Sequence, residues 1–388
     1  MKIPFKYNRR SLLVRSGTTA MTILSIAFVV LVYIGVLALA GGLRAAFLAA
    51  GDPRVVLTLR EGAKGEMESF FGVEKKSLLS SLPGIARGAG GEPLVSGQVF
   101  ILQLLKRVDG SEGNVSVRGV EPALFEIRPQ VRIVDGRRFE PGKGEVIVGK
   151  SLVARFPDLK LGSEVVFGRV RFKVVGVFDA EGGGFSSEVW GAAPDIGSAF
   201  RRGSGFSSAL LRTGSPEEAR QLVERIKADP RLKLKPMLET EYFAEQAQRN
   251  SMKFVVLGNV LAFLMAFGAC FAAANTMYAQ VSARAHEIGT LRALGFPRRT
   301  ILTSFLLEAA LLGLFAGVVG AVLALPLNLF TAGTLNLVTF SEITFNLRTT
   351  PSILLGGVLL ALLTGLLGGI PAAWSAARRP VVDLLRER

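Results

Sequence analysis

Four uncharged stretches, residues 16–43, 254–283, 309–341 and 349–377, dominate this chain. Each exceeds the roughly 20 residues that an α-helix needs to cross a hydrocarbon core, so each reads as a membrane span. They are unevenly spaced, with residues 44–253 between the first and the second. The chain has 388 residues, 49% hydrophobic content and a mean hydropathy of +0.41. That is too apolar for an ordinary soluble protein, yet it leaves room for a sizeable domain outside the bilayer.

The net charge of +15 would suit a nucleic-acid partner, so its location decides the reading. Residues 51–250 hold 30 Lys/Arg and 26 Asp/Glu, whereas the other 188 hold 16 and 5. Most of the excess therefore flanks the spans, where lipid headgroups and the positive-inside rule put it, and no nucleic-acid partner is expected. Lys2, Lys6, Arg9, Arg10 and Arg15 precede the first span. Arg284, Arg292, Arg298 and Arg299 separate the second from the third, and Arg378, Arg379, Arg386 and Arg388 follow the fourth. Between the third and fourth spans stand only Arg348 and Glu342. Both termini and the middle loop are thus expected in the cytoplasm, the long insert outside, and the protein in the cell's inner membrane. Ala38-Leu39-Ala40 looks like a signal-peptide cleavage site, but the apolar core before it is much too long for one.

The expected fold class is membrane α plus extracytoplasmic α+β: four transmembrane helices, with a large domain of two subdomains inserted between helices 1 and 2. The layout is a cytoplasmic lead-in (1–15), a first span with stalk (16–49), the extracytoplasmic domain (50–240) and a stalk with the second span (241–283). A cytoplasmic helix or loop (284–300), a third span (301–332), a short outer loop (333–350), a fourth span (351–377) and a cytoplasmic tail (378–388) follow.

Within the insert, Val55-Val56-Leu57-Thr58-Leu59, Val115–Val120, Glu145-Val146-Ile147-Val148 and Val165-Val166-Phe167 are β-branched runs bounded by Gly, Pro and Asp. Gly168-Arg169 predicts a hairpin into the alternating run 170–178. Residues 216–227 predict a helix: Ser215 can cap it, Pro216 suits its first position, Glu217 and Glu218 favour its positive end, and Leu222, Val223 and Ile226 form an apolar face. A strand at 232–236 follows, giving a β-α-β unit beside a β-rich lobe. Gly182-Gly183-Gly184 and the 88–91 cluster read as loops. From Tyr242 to Val281 there is no Pro, so the second span is expected to begin as a helix outside the membrane.

Chemistry is sparse. One cysteine (Cys270) and one histidine (His286) exclude an intrachain disulfide and a Cys/His zinc site. The stretch from Gly136 to Gly144 has one residue too many between its glycines for an ATP-binding loop, and Gly stands where Ser or Thr should hold magnesium. No metalloprotease or serine-hydrolase motif occurs. Inside the spans Glu308 is the exceptional charge; full burial would cost about 3 kcal/mol, so Arg284 or Arg292 is its candidate cation. Gly313, Gly317 and Gly320 share one face of the third span, and Gly365, Gly368 and Gly369 one of the fourth. These permit close helix approach, within one chain or between two.

Several of these residues carry a resemblance. Asn275-Thr276-Met277, Arg284, Glu287-Ile288-Gly289, Leu291-Arg292-Ala293-Leu294-Gly295, Ile301 and Phe305-Leu306-Leu307-Glu308 run in the order seen in MacB/FtsX-type ABC permeases, which include the lipoprotein-releasing LolC/LolE proteins. Pro371-Ala372-Ala373, Ala376, Pro380 and Leu384-Leu385-Arg386 resemble that family's C-terminal motif, and Asn8-Arg9-Arg10 with Leu13 and Arg15 its lead-in helix. Val117–Val120, Gly136-Arg137, residues 145–149, Leu161-Gly162 and residues 172–178 are similar to its extracytoplasmic domain.

The resemblance implies a non-catalytic permease without a fused nucleotide-binding domain. It would have no cofactor of its own, ATP-Mg being bound by a separate ABC ATPase dimer. It also implies a second permease chain, identical or not, and allows a periplasmic adaptor and an outer-membrane channel. ATPase coupling would fall to Arg284, Glu287, Ile288, Gly289, Leu291, Arg292, Leu294 and Gly295. An amphipathic segment 283–294 would place Ile288, Leu291 and Leu294 on one face for docking, with Gly295 and Pro297 ending it. The work would be mechanotransmission for export or release of a drug, peptide, glycolipid or lipoprotein. The alternative is FtsX-like signalling that activates a cell-wall hydrolase outside. A membrane-anchored external enzyme is disfavoured because no catalytic grouping emerges.

Overall fold

The computed structural model describes residues 16–180, 184–335 and 342–380. The lead-in with Asn8, Arg9, Arg10, Leu13 and Arg15, the Gly182-Gly183 pair and the Leu384-Leu385-Arg386 tail lie outside the described residues. In chain order the elements are α1 (Ser16–Leu48), β1 (Val55–Arg60), α2 (Val73–Ser80), β2 (Val95–Lys106), β3 (Glu112–Val120), β4 (Arg132–Gly136) and β5 (Glu145–Gly149). Then come β6 (Glu164–Phe167), β7 (Val170–Asp179), β8 (Glu188–Ala192), α3 (Ala193–Ala199), β9 (Ser208–Arg212), α4 (Pro216–Ala228) and β10 (Leu234–Leu238). The rest is α5 (Glu239–Ala283), α6 (Ala285–Ala293), α7 (Arg298–Ala324), β11 (Thr331–Leu335), β12 (Glu342–Asn346) and α8 (Pro351–Arg378). Among the described residues, α1, α5, α7 and α8 are long and apolar enough to cross a membrane.

The chain divides into two compact units. One comprises Met1–Gly41, Met252–Phe330 and Leu347–Arg388, the other Gly42–Ser251 and Thr331–Asn346. The latter is organised by strands in the order β10-β1-β9-β2-β3-β8-β5-β7-β4, with β6 on β7. The β3/β8 and β5/β7 pairs are parallel. Both faces of the sheet are covered, which explains why its central strands lack alternation. In β5, Val146 and Val148 join the core beneath Leu79 of α2, Ile196 of α3 and Leu222 of α4, while Ile147 joins Phe178 and Trp190 on the other face.

Local signals are satisfied. Ser215 Oγ accepts from the Glu218 N–H at 3.2 Å, and the Gly214 N–H donates to Glu218 Oε2 at 2.9 Å, closing the N-terminus of α4. Gly168, at φ +60°, turns β6 into β7 with Phe167 opposite Val170. The two subdomains expected from the sequence do not separate. β1 and β10, on which α4 packs, are hydrogen-bonded through β9 to β2, so one sheet carries both lobes. Around the expected outer loop 333–350, β11 and β12 pair antiparallel from Thr331 with Asn346 to Leu335 with Glu342.

In the other unit the closest contact joins α7 to α8, through small residues at four-residue spacing: Ala309, Gly313 and Gly317 against Ala361, Gly365 and Gly369. A methyl group on Gly313 would lie 2.5 Å from the Ala361 carbonyl oxygen, and one on Gly317 2.9 Å from Ala361 Cβ. Gly320 serves a different neighbour: a methyl group there would lie 2.7 Å from the Ala27 carbonyl oxygen of α1. All three glycines are therefore occupied within the chain. Gly313→Leu is expected to destabilise this unit by roughly 1–3 kcal/mol, as overpacking does. Gly268→Leu, at a site with nothing within 4 Å, should melt like the wild type. Thermal unfolding of the two variants in detergent checks this; matched midpoints would refute the packing assignment.

Candidate functional site

The second span helix ends at Ala283, and the chain restarts as α6 after Arg284 leaves helical geometry (φ −115°, ψ 17°). This break offsets α6 from the phase of α5. Ala285 and Ile288 are each only 3% exposed and pack on Ile301, Phe305, Ala373 and Ala376, residues of α7 and α8. Two charged side chains fix the ends. Arg284 Nη1 stands 3.2 Å from Oε2 of Glu308, which is 1% exposed on α7. Arg292 Nη1 donates to the carbonyls of Ala377 (3.2 Å) and Arg379 (2.9 Å), satisfying acceptors at the negative end of α8.

The C-terminus of α6 is a Schellman turn: the Phe296 N–H donates to Leu291 O and the Gly295 N–H to Arg292 O, both at 3.1 Å. Gly295 sits at φ +94°, a conformation that a side chain would strain. Pro297 then caps α7.

One expectation needs correcting. Ile288, Leu291 and Leu294 do not form one docking face: Ile288 is inside, Leu291 half-buried, and Leu294, past the last helical residue, is 69% exposed. The reason is that α7 and α8 already occupy the apolar side of α6. Gly289 is buried with Ile288, while His286, Glu287, Thr290 and Leu294 face outward. A cavity of about 20 Å³, lined by Glu287, Leu291, Ser304 and Phe305 among others, lies between α6 and α7 and admits no more than a water-sized group.

This segment lies inside residues 259–381, which match the FtsX-like permease C-terminal family. The MacB-like periplasmic core domain family matches residues 19–229, more than half of the chain. The chain belongs to the MacB/FtsX-type ABC transporter permeases. The macrolide export ATP-binding/permease protein MacB of Pasteurella multocida (strain Pm70) is 26% identical over 289 residues, 71% of this chain and 43% of its own. An uncharacterised ABC transporter permease of Methanocaldococcus jannaschii is 25% identical over 240 residues, 59% of this chain and 58% of its own. The permease thus spans about half the length of these curated relatives. Among solved structures, the periplasmic region of MacB from Actinobacillus actinomycetemcomitans aligns with a TM-score of 0.37 at 16% identity, over 48% of this chain and 89% of that one.

This MacB/FtsX-type permease is therefore a membrane protein whose β-rich unit is the extracytoplasmic domain. In that domain lies a group of charged residues that no local motif announced. Arg118 on β3 is 5% exposed and spans two carboxylates. It donates to Glu188 through Nε and Nη2, each at 2.8 Å, and to Glu66 through Nη1 (2.7 Å) and Nη2 (3.1 Å). Trp190 Nε1 and Ser208 Oγ complete the carboxylates' partners. Burial alone would raise Glu66, but the charge of Arg118 and its hydrogen bonds outweigh it and hold that carboxyl below its ordinary value.

A second ion pair sits at the base of α5. Glu239, its first residue, is fully buried, pairs with Arg128 and accepts the Asp52 N–H at 3.0 Å. Arg128 also donates to Ala50 O and lies 4.0 Å from the Phe185 ring centroid. It joins the segment after α1 to the start of α5. Pairs 111 and 187 residues apart leave no trace in a sequence window.

Proposed function

We propose that this permease is the membrane subunit of an ABC transporter working by mechanotransmission, with α6 as the coupling helix. ATP-driven closure of a separate ATPase dimer moves α6, and the extracytoplasmic domains of two permease chains rearrange to export or release a substrate such as a drug, peptide, glycolipid or lipoprotein. Both termini and α6 lie on the cytoplasmic side of the inner membrane, as the arginine distribution favours. The observation that carries this reading is the double attachment of α6, through Arg284 to α7 and through Arg292 to the end of α8. A helix so held cannot shift without taking two spans with it. The continuous 45-residue α5 supports the same reading, being about 67 Å long against a hydrocarbon core of about 30 Å.

The partner meets the outward face of α6. Glu287→Arg combined with Leu294→Asp, both at exposed positions, is expected to lower recovery of the ATPase in co-purification at least tenfold. Undiminished recovery would remove α6 from the ATPase contact. Export and signalling part company in proteoliposomes: stimulation of ATP hydrolysis by a transported substrate fits export, whereas stimulation only by a cell-wall hydrolase or its adaptor fits the FtsX-like alternative.

A further inference from the structure

One side of α8 is spent on α7, α1 and α5; the other is an unbroken apolar stripe. Leu355, Leu359, Leu363, Leu367, Ile370 and Trp374 follow one another at three- or four-residue intervals, and all are exposed. The rise from Leu355 to Trp374 is about 28 Å, nearly the thickness of a hydrocarbon core at about 30 Å. A stripe of that length is solvated by acyl chains along its whole extent, with Trp374 at the level where headgroups begin.

One turn further on, Arg378 lays its guanidinium over the Trp374 ring, Cζ to centroid 4.3 Å. Among the described residues it pairs with no carboxylate. The carbonyls at this helix end are already served by Arg292, so the Arg378 donors are not drawn back into the backbone. We propose that the Trp374–Arg378 end of α8 binds the headgroup of an anionic phospholipid. The indole holds the planar fork of Arg378 at headgroup depth, and the fork matches two phosphate oxygens. A zwitterionic lipid offers the same phosphate but cancels its charge with an ammonium group, so the site selects lipids of net negative charge. Stabilisation of about 1 kcal/mol per arginine near the surface corresponds to about fivefold enrichment.

The chain carries its own reporter. It has two tryptophans, Trp374 and Trp190, and Trp190 is fully buried in the extracytoplasmic domain, where brominated acyl chains cannot touch it. The full-length protein would be placed in nanodiscs of phosphatidylcholine with a minor fraction of phosphatidylglycerol. Bromine would be carried either by the phosphatidylglycerol or by an equal mole fraction of the phosphatidylcholine. Brominated phosphatidylglycerol is expected to quench Trp374 as though enriched about fivefold. Arg378→Gln should make the two lipids equivalent while quenching by phosphatidylcholine persists, and Arg378→Lys should keep part of the preference. Equal quenching in the wild type, or a preference that survives Arg378→Gln, overturns the proposal. Quenching by neither lipid also overturns it, since protein would then cover the stripe.

Discussion

Arg118→Ala is expected to cost the extracytoplasmic domain roughly 3–5 kcal/mol, enough to unfold it in many backgrounds. The loss comes less from the bonds removed than from what stays behind. Glu66 and Glu188, both less than 10% exposed, would face each other in a desolvated core without the cation between them. Arg118→Lys keeps the charge but replaces a fork that makes five hydrogen bonds, counting Gln98 Oε1 at 2.6 Å, with a single ammonium, and should fall between. Adding Glu66→Gln and Glu188→Gln to Arg118→Ala should recover part of the loss by removing the stranded charges. Denaturant unfolding followed by Trp190, which bonds to Glu188 at 2.7 Å, reads this directly. A loss below about 1 kcal/mol for Arg118→Ala would mean that water reaches the cluster.

Arg284→Ala is the matching experiment in the membrane unit. Glu308 would keep its charge at a buried position on α7 without its guanidinium, and a loss of about 3–5 kcal/mol is expected. Neutralising the acid as well, in Arg284→Ala with Glu308→Gln, should restore most of the thermal stability in detergent. If the double variant is no better than the single one, the ion pair is not what holds α6 to α7. The double variant also separates structure from coupling. It should fold and still bind the ATPase, yet transmit its motion poorly, giving ATPase activity that no longer responds to the permease.

Much of this architecture is legible in the residues because the signals are local. Four uncharged runs become four long helices, Ser215-Pro216 with Glu218 starts α4 where a cap and a first-turn proline require it, and Gly168 makes the β6–β7 turn. Six strands escape a sequence reading, β2, β4, β8, β9, β11 and β12, and for β2, β8 and β9 the physical reason is the same. Ser96, Gln98, Glu188 and Ser208 sit inside the fold among the ions, so runs such as Val95-Ser96-Gly97-Gln98 look like solvent-facing loop although every residue is buried. At the candidate site, sequence narrows the partner of Glu308 to Arg284 or Arg292, because a buried acid beside a basic loop demands a cation, and the structure selects Arg284. The inward turn of Ile288 cannot, since it depends on the break at Arg284, which resets the helical phase by an amount no periodicity records.

The meeting of Asp52 and Glu239 has a wider consequence. A peptide N–H and a carboxylate 187 positions apart lie 3.0 Å from one another, so the whole inserted body begins and ends at nearly the same point in space. A module with coincident ends can be grafted between two neighbouring helices without prising them apart. Any body exchanged for this one needs equally coincident ends and, because residues 331–346 belong to the same unit, a seat for β11 and β12 as well.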